Sequence, residues 1–408
     1  MKKIAQYFRP ALYNIMHNKG YALFCILGTA LTFIFITLVL QLMRINGSNY
    51  PPMTHADRIV RLEYFNDTEG KGIGGIRDTE TNAFIESLND FEHVSLCHGN
   101  FINIMANGHF HSSGVAFVSG DFWKVFDFEF LYGRPFSKED CDNRKQVVII
   151  TEDMSRKFFN TTNGIGKKIK FQQREYEVIG IVKSPSMFAS PADMCTVWTP
   201  YVFNKFIPNS SYMYTVDVLA PPTMPMEEAK EKISRAVFHY FENKNKKVDF
   251  PAQKVKTIGP SISSDDRNML QYGGIAALFL FLLIPALNIL SLGITNAGNR
   301  AEEIAVRRTF GASWTYSFFL IISENMILTA IGAIIGLSLA IPVMKVIQAN
   351  IMQGSLMGNL SLVSGIDLGV IIIGVLPATI IFSLLSGGIP AYIIAKRRIA
   401  EVLKGGSK

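Results

Sequence analysis

Four stretches of this chain run for 20 residues or more without a charge, and they sit towards its two ends. Residues 20–43, 268–299, 325–344 and 368–395 hold no Asp, Glu, Lys or Arg. About 20 apolar residues in a helix cross the ~30 Å hydrocarbon core of a bilayer. The pattern therefore predicts four transmembrane helices, over 21–43, 270–295, 317–344 and 368–390. Hydrophobic residues make up 49% of the 408 and charged residues 18%, against about 25% charged in an average chain. This excludes a disordered polymer, which is charged and poor in apolar residues. Four cysteines are too few for a disulfide scaffold. The first apolar run follows positive charge, as a signal peptide does. It is too long for one and no A-x-A site follows, so a retained helix is expected.

Charge gives the expected orientation. Residues 1–21 hold four Lys/Arg and no acid, the 296–316 loop three and two, and the 391–408 tail five and one. Positive loops stay in the cytoplasm. Both termini and the 296–316 loop are thus expected inside, with 44–269 and the short 345–367 loop outside. The outer 226 residues are nearly neutral, with 27 Lys/Arg and 28 Asp/Glu. The net charge of +7 therefore follows topology, and no basic patch on the soluble part points to nucleic acid.

The 44–269 segment reads as α+β, with two βαβ-type halves, 44–112 and 201–269, flanking a β-rich insert at 113–200. Arg58–Phe65 alternates as a half-buried strand does. Thr79–Leu88 reads as a helix and Val94–Cys97 as a strand. At the far end come a strand at Tyr214–Leu219, a helix at Met226–Phe241 with its acids first, which suits the helix dipole, and a strand at Val255–Ile258. Val115–Val118, Val147–Thr151, Lys168–Phe171 and Tyr176–Val182 are the strands of the insert, punctuated by Gly133-Arg-Pro135, Gly164 and Gly166.

Chemistry-bearing motifs are scarce. GxxxxGK[ST], GxGxxG after a strand, HExxH and GxSxG do not occur. His93, Cys97, His98, His109 and His111 are the nearest approach to a metal cluster. His109 and His111 share one strand face, but the spacing fits no usual zinc pattern, and structural histidines are expected. Cys97, Cys141 and Cys195 lie in the outer segment, Cys25 in the first span. The three outer cysteines allow one pair at most, and free thiols are expected. Glu324 lies inside the third span, where an ionisable residue is a functional candidate by default. Lys345 and Asp367 flank the outer loop, and interfacial placement accounts for both. Pro285, with Gly273 and Gly274, is a hinge candidate in the second span.

The 296–316 loop is the most informative segment. It reads Asn299-Arg-Ala-Glu-Glu-Ile-Ala-Val-Arg-Arg-Thr-Phe-Gly-Ala-Ser313. Acids come early and arginines late, as the dipole of a helix prefers, and Glu303 and Arg307 are four apart. Gly311 is a natural helix stop and Ser313 a cap for the next helix. A short charged helix between two spans is either a solvated connector or a docking element for a soluble partner.

Taken together the chain resembles the MacB/FtsX-type ABC transporter permeases, four-helix permeases with a large extracytoplasmic domain. The residues that carry the likeness are Ala11–Lys19, Val118-Ser-Gly-Asp-Phe-Trp-Lys-Val-Phe126, Tyr132-Gly-Arg-Pro-Phe-Ser137, Val147–Phe159, Ile165-Gly-Lys167, Tyr176–Val182, Glu303–Ser313, Glu324, Gly388–Ala391 and Ile399–Lys404. The resemblance implies a bacterial inner-membrane permease that pairs with a second permease, identical or different, and docks a separate ATPase. It implies that Glu302, Glu303, Ile304, Val306, Arg307, Arg308, Phe310 and Gly311 couple to that ATPase. ATP and Mg then belong to the ATPase, this chain needing no cofactor or metal and performing no catalysis itself. A periplasmic adaptor, an outer-membrane channel or a lipoprotein carrier are partners that the resemblance allows. The work implied is efflux or release of a drug, peptide or lipoprotein. The alternative is a regulator that activates a cell-wall hydrolase outside and transports nothing.

Overall fold

The computed structural model describes residues 2–47, 49–63, 65–66, 72–74, 76–77, 81–186, 191–192, 195–204, 213–250, 255, 257–258, 272–283, 287, 306–307, 309–351 and 365–396. It divides into two units. One comprises Met1–Arg44, Asn268–Ile347 and Gly365–Lys408, the other Ile45–Arg267 and Gln348–Ser364.

In chain order the helices are α1 (Lys2–His17), α2 (Lys19–Gly47), α3 (Thr81–Glu86), α4 (Phe122–Val125), α5 (Lys138–Asp142), α6 (Glu152–Phe159), α7 (Met226–Glu242), α8 (Tyr272–Leu283), α9 (Trp314–Ile351) and α10 (Leu376–Lys396). The strands are β1 (Ile59–Leu62), β2 (Phe65–Asn66), β3 (Gly72–Gly74), β4 (Ile76–Arg77), β5 (His93–Ala106), β6 (His109–Val118), β7 (Phe130–Gly133), β8 (Val147–Thr151), β9 (Lys168–Phe171), β10 (Arg174–Val182), β11 (Cys195–Pro200) and β12 (Met213–Leu219).

The first unit is apolar and helical. Among the described residues three helices are long and apolar enough to cross a membrane: Lys19–Ile45, Trp314–Ile347 and Val370–Gly388. The second expected span is described only in part, as the apolar α8, and Pro285 lies outside the described residues. α9 starts three residues before the expected span and continues past Met344 to Ile351. The helices touch through small residues, which let backbones approach without a hydrophobic driving force. Gly332 and Gly336 of α9 lie against α2, where a Cβ on Gly336 would fall 2.6 Å from the Ala30 carbonyl oxygen and 2.8 Å from Phe33 Cβ. Gly387 of α10 meets Asn325 of α9 in the same manner, at 2.8 Å. Phe35 of α2 stacks on Phe281 of α8 with ring centres 4.9 Å apart. α10 is preceded by a π-helical segment, Val370–Val375.

The second unit is built on one ten-stranded sheet, ordered β1-β12-β5-β6-β11-β8-β10-β7, with β4 on β12 and β9 on β10 and β5. The two expected halves interleave at one end of it. Thr257 bridges Val60 of β1, β1 pairs antiparallel with β12, and β12 antiparallel with β5. Each half is therefore a split βαβ unit, its two strands parallel and separated by a strand of the other half. One hydrophobic core unites them, with Val60, Leu96, Val216, Val218, Ile233 and Phe241 among its buried members. On the opposite face of the same strands, between Val60 and Leu62, an ion pair joins directly opposed residues: Arg61 Nε donates to Asp217 Oδ1 at 2.7 Å and Asp217 is fully buried. Arg61 also donates to the Pro191 carbonyl at 2.5 Å.

The insert has its own core, including Ile104, Val115, Val148, Phe158, Tyr176 and Val197. Its strands β8 and β9 coincide with the expected Val147–Thr151 and Lys168–Phe171. β5 is longer than the expected Val94–Cys97, and β6 longer than Val115–Val118, because the two form a hairpin through Asn107 and Gly108. Both turn residues have positive φ, 49° and 80°, the geometry of a two-residue turn that matches strand twist. The Gly-Arg-Pro turn is explained by Gly133, at φ 73° with its α-carbon against the Ile179 carbonyl. Beside it Asp140 caps the turn of Ser137 and accepts from Arg134 and Lys145 at 2.7 and 2.6 Å. The hydrogen bond from Arg134 holds the Asp140 carboxyl well below the usual carboxylate range.

Two measurements check this packing. Asp217→Ala removes the buried carboxylate that accepts from Arg61 and leaves the half-exposed Glu63, 4.0 Å from Arg61 Nε, as an anion beside it; it is expected to cost about 1.5–3 kcal/mol, read as a lowered melting temperature of the full-length protein in detergent, with Asp217→Asn less severe. The depressed pKa of Asp140 means that its contribution is present above the ordinary carboxylate pKa and is lost as pH falls through the lower, folded value. Asp140→Asn should therefore be destabilised by about 1–2 kcal/mol at pH 7, and the gap to the parent should close as pH is lowered below 4.

Candidate functional site

The segment that most constrains function is the junction entering α9. Val306, Arg307, Thr309 and Phe310 form the last turn of a helix, Phe310 N–H donating to the Val306 carbonyl at 3.3 Å. Gly311 adopts φ 95°, and Ala312 N–H donates back to the Arg307 carbonyl at 3.1 Å. That is the six-to-one bond of a glycine-terminated helix. Two residues later Ser313 caps α9, its Oγ accepting from Tyr316 N–H at 3.2 Å and paired with Thr315 Oγ1 at 2.8 Å. Both expectations for the stop and the cap are met. The glycine-terminated end and the serine cap thus each satisfy one end group of the two helices.

The turn presents an apolar knob. Phe310 is 88% exposed, with Val306 and Trp314 about half exposed. Beside it lies an open concavity of about 620 Å³ lined by Val306, Arg307, Phe310, Ser313 and Tyr316 among others. An exposed Phe beside Arg, Tyr and Trp has the composition of an interaction hot spot. Tyr316 and Trp314 were not among the expected site residues; their signal is their position within one turn of the capped junction. Glu302, Glu303, Ile304 and Arg308 lie outside the described residues.

Glu324 lies ten residues along α9 and is 2% exposed. Its neighbours satisfy themselves on their own helix, Ser323 Oγ donating to the Leu320 carbonyl at 2.8 Å and Asn325 Nδ2 to that of Ile321 at 3.1 Å. Lys345 is exposed on α9, whereas Asp367 is engaged: its N–H donates to Gln41 Oε1 at 2.9 Å, and its Oδ2 is 3.8 Å from Arg44 Nε.

The histidines disperse. His98 packs against Tyr214 with ring centres 6.2 Å apart, and His111 against Phe158 at 5.2 Å. Burial, with Lys157 and His109 nearby, lowers the His111 pKa. Among the described residues no three His, Cys, Asp or Glu side chains are placed to hold a metal. All four cysteines are buried, and none of them is in a disulfide. Burial pushes the Cys141 thiol up to about 12, far from a nucleophile at neutral pH.

Apolar membrane-type helices joined to a split-βαβ domain with a β-rich insert, and a capped junction before a long apolar helix, define a membrane protein with an extracytoplasmic segment. The family description "MacB-like periplasmic core domain" matches residues 22–236, and "FtsX-like permease C-terminal" matches 275–399. The chain belongs to the MacB/FtsX family of ABC transporter permeases. It is similar to the macrolide export ATP-binding/permease protein MacB of Aggregatibacter actinomycetemcomitans, 23% identical over 349 residues, which are 83% of this chain and 53% of that protein. The protein of the same description from Escherichia coli strain K12 is 20% identical over 233 residues, 57% of this chain and 35% of its own length. The chain thus spans about half, or less, of the relatives it matches. Among solved structures it is similar to the periplasmic region of MacB from Actinobacillus actinomycetemcomitans, with a TM-score of 0.40 and 16% identity over 48% of this chain and 90% of that one. The extracellular domain of the noncanonic ABC-type transporter YknZ from Gram-positive bacteria gives a TM-score of 0.39 and 16% identity, covering 47% and 99%. Neither matched description is an ATPase, and no Walker A sequence occurs in these 408 residues.

Gly311 gives the test of the junction. Gly311→Ala forces a β-carbon into left-handed backbone and is expected to destabilise by about 1 kcal/mol, with Gly311→Asn milder. Melting of the full-length protein in detergent reads both.

Proposed function

We propose that this chain is the permease subunit of an ATP-driven ABC transporter, whose ATP-binding subunit is a separate protein docking at the junction before α9. The observation that carries the reading is the capped turn that holds Phe310 out beside Arg307 at the head of a 38-residue apolar helix. Family membership supports the partnership with an ATPase, and the positive charge of 296–316 supports its cytoplasmic side. Here Phe310 enters a pocket of the ATPase, while Arg307 and Arg308 meet its acidic rim. Glu302 and Glu303 belong to the same coupling segment. ATP and Mg bind the ATPase, and its closure displaces the turn. A second permease completes the pair, and both chain termini lie in the cytoplasm of a bacterial cell. The task outside is efflux or release of a drug, peptide or lipoprotein, alone or with an adaptor and an outer-membrane channel.

Mild solubilisation from the native membrane, affinity recovery of the full-length chain and mass spectrometry of what accompanies it test the reading. A P-loop ATPase is expected, together with a second permease. Phe310→Ala should weaken recovery of the ATPase roughly 30-fold in affinity, the size of a hot-spot loss, and Arg307→Glu should do so comparably. Unchanged recovery with both variants would sink the docking role. Recovery of a cell-wall hydrolase in place of an exported substrate's carrier would move the function to the regulatory alternative.

A further inference from the structure

α1 is amphipathic and on average no more apolar than polar, the balance of a helix that lies at a membrane surface without crossing it. One edge of it is covered within the membrane unit. Ala11 is fully buried, and Ile15 packs with the cluster of Cys25, Phe33 and Leu328. The next edge is bare: Leu12 is 47%, Tyr13 61% and Met16 68% exposed. This bare edge continues into α2. Asn18 N–H donates to the Asn14 carbonyl and Ala22 N–H to that of Asn18, both at 3.0 Å, so bonds of helical spacing cross the joint. Beyond it Leu23 and Leu27, both exposed, follow Met16 by seven and eleven residues, the spacing of one helix face.

Charge accompanies this edge. No Asp or Glu occurs before Asp57. Lys19, exposed, follows Met16 by three residues, while Arg9 precedes it by seven and Lys2 by fourteen, again the spacing of one face. The charge-free run of α2 starts at Gly20, so Met16 is within about 6 Å of it at 1.5 Å per residue. The headgroup layer flanking the hydrocarbon is about 5–8 Å deep. The bare edge therefore starts among phosphates, and its charged residues are cations without an acid.

We infer that this edge of α1 binds anionic phospholipid. Leu12 and Met16 enter the acyl boundary, Tyr13 stands at headgroup level, and Lys2, Arg9 and Lys19 supply the charge. Apolar burial alone would accept any lipid. The cations add the preference for a negative headgroup, about five-fold for each Lys or Arg near an anionic surface. A lipid fits better than a soluble protein because the edge is continuous with the exposed apolar stripe of α2 and carries no acid to pair with a partner's cations. The inference uses only this chain's exposed edge and charge, so it stands apart from the ATPase partnership.

The test uses the full-length protein in lipid nanodiscs. The native cysteines are buried, so a maleimide fluorophore reacts selectively with Met16→Cys. Its quenching is compared in phosphatidylcholine discs that carry the same minor fraction of brominated phosphatidylglycerol or of brominated phosphatidylcholine. Brominated phosphatidylglycerol is expected to quench about five-fold more effectively. That preference should fall towards parity in about 0.5 M salt, where charges are screened within a few ångströms. Lys2→Gln, Arg9→Gln and Lys19→Gln together should abolish it and keep the quenching by brominated phosphatidylcholine. Equal quenching by the two lipids in the parent would overturn the recognition of anions. A fluorophore that neither lipid quenches would overturn the lipid surface, and one that becomes shielded from aqueous iodide only when a soluble partner is bound would give the edge to that partner. The salt series needs no charge variant, so a preference that high salt leaves unchanged would also sink the proposal, even if the triple Gln variant failed to insert.

Discussion

Fourteen residues, His93–Ala106, form a strand that belongs to two hydrophobic cores at once. Its first half, with Val94 and Leu96, packs with Val216 and Val218 in the core of the split βαβ units. Its second half, with Ile104 and Ala106, packs with Ile169 and Val115 in the core of the insert. The Asn107-Gly108 turn then fixes ten residue pairs between β5 and β6 in one register. A slip of one residue would turn each buried set of β5 outward, so both cores enforce the same alignment. The insert is therefore no tethered appendage. It continues the same sheet, and a displacement of one lobe is carried to the other through covalent strand and unbroken ladder.

That continuity explains what the amino-acid pattern reveals and what it hides. β8, β9 and α7 are local signals: apolar runs or alternation bounded by turns, with acids at the start of the helix. β5 is hidden because Gly99, Asn100 and Asn103 interrupt its apolar alternation, and its partners β6 and β9 make the strand continue. β11, all six residues buried, has no polar face to mark its period and ends on a proline. The short helices α4, α5 and α6 are set by packing and capping, Ser137 and Thr151 being the caps, and are too brief for a helical period to stand out. The junction before α9 was legible for the opposite reason. A glycine stop and a serine cap act through backbone geometry within a few residues, whereas Phe310 was expected at the site only through the resemblance to the permease family. The engagement of Asp367 was not legible, because Gln41 lies 326 positions away along the chain.

In the membrane unit the same groups follow different rules. Apolar surface gains nothing by leaving lipid for another apolar helix, so contact is decided by how closely backbones can approach. This is why glycines mark the meeting of α9 with α2 and of α10 with α9, and why buried Thr29, Thr32, Ser323 and Asn325 bond to their own helices and leave the interfaces to shape. Glu324 stands out against that background as a buried ionisable side chain on α9.

α9 ties these observations together. Its first turn follows the Phe310 knob through a glycine-terminated helix end and a serine cap. Eighteen residues on, roughly 27 Å at 1.5 Å per residue, its Gly332 and Gly336 rest on the middle of α2. One continuous helix therefore joins the exposed Phe310 turn to a contact of glycine on backbone that is close-packed and hard to compress.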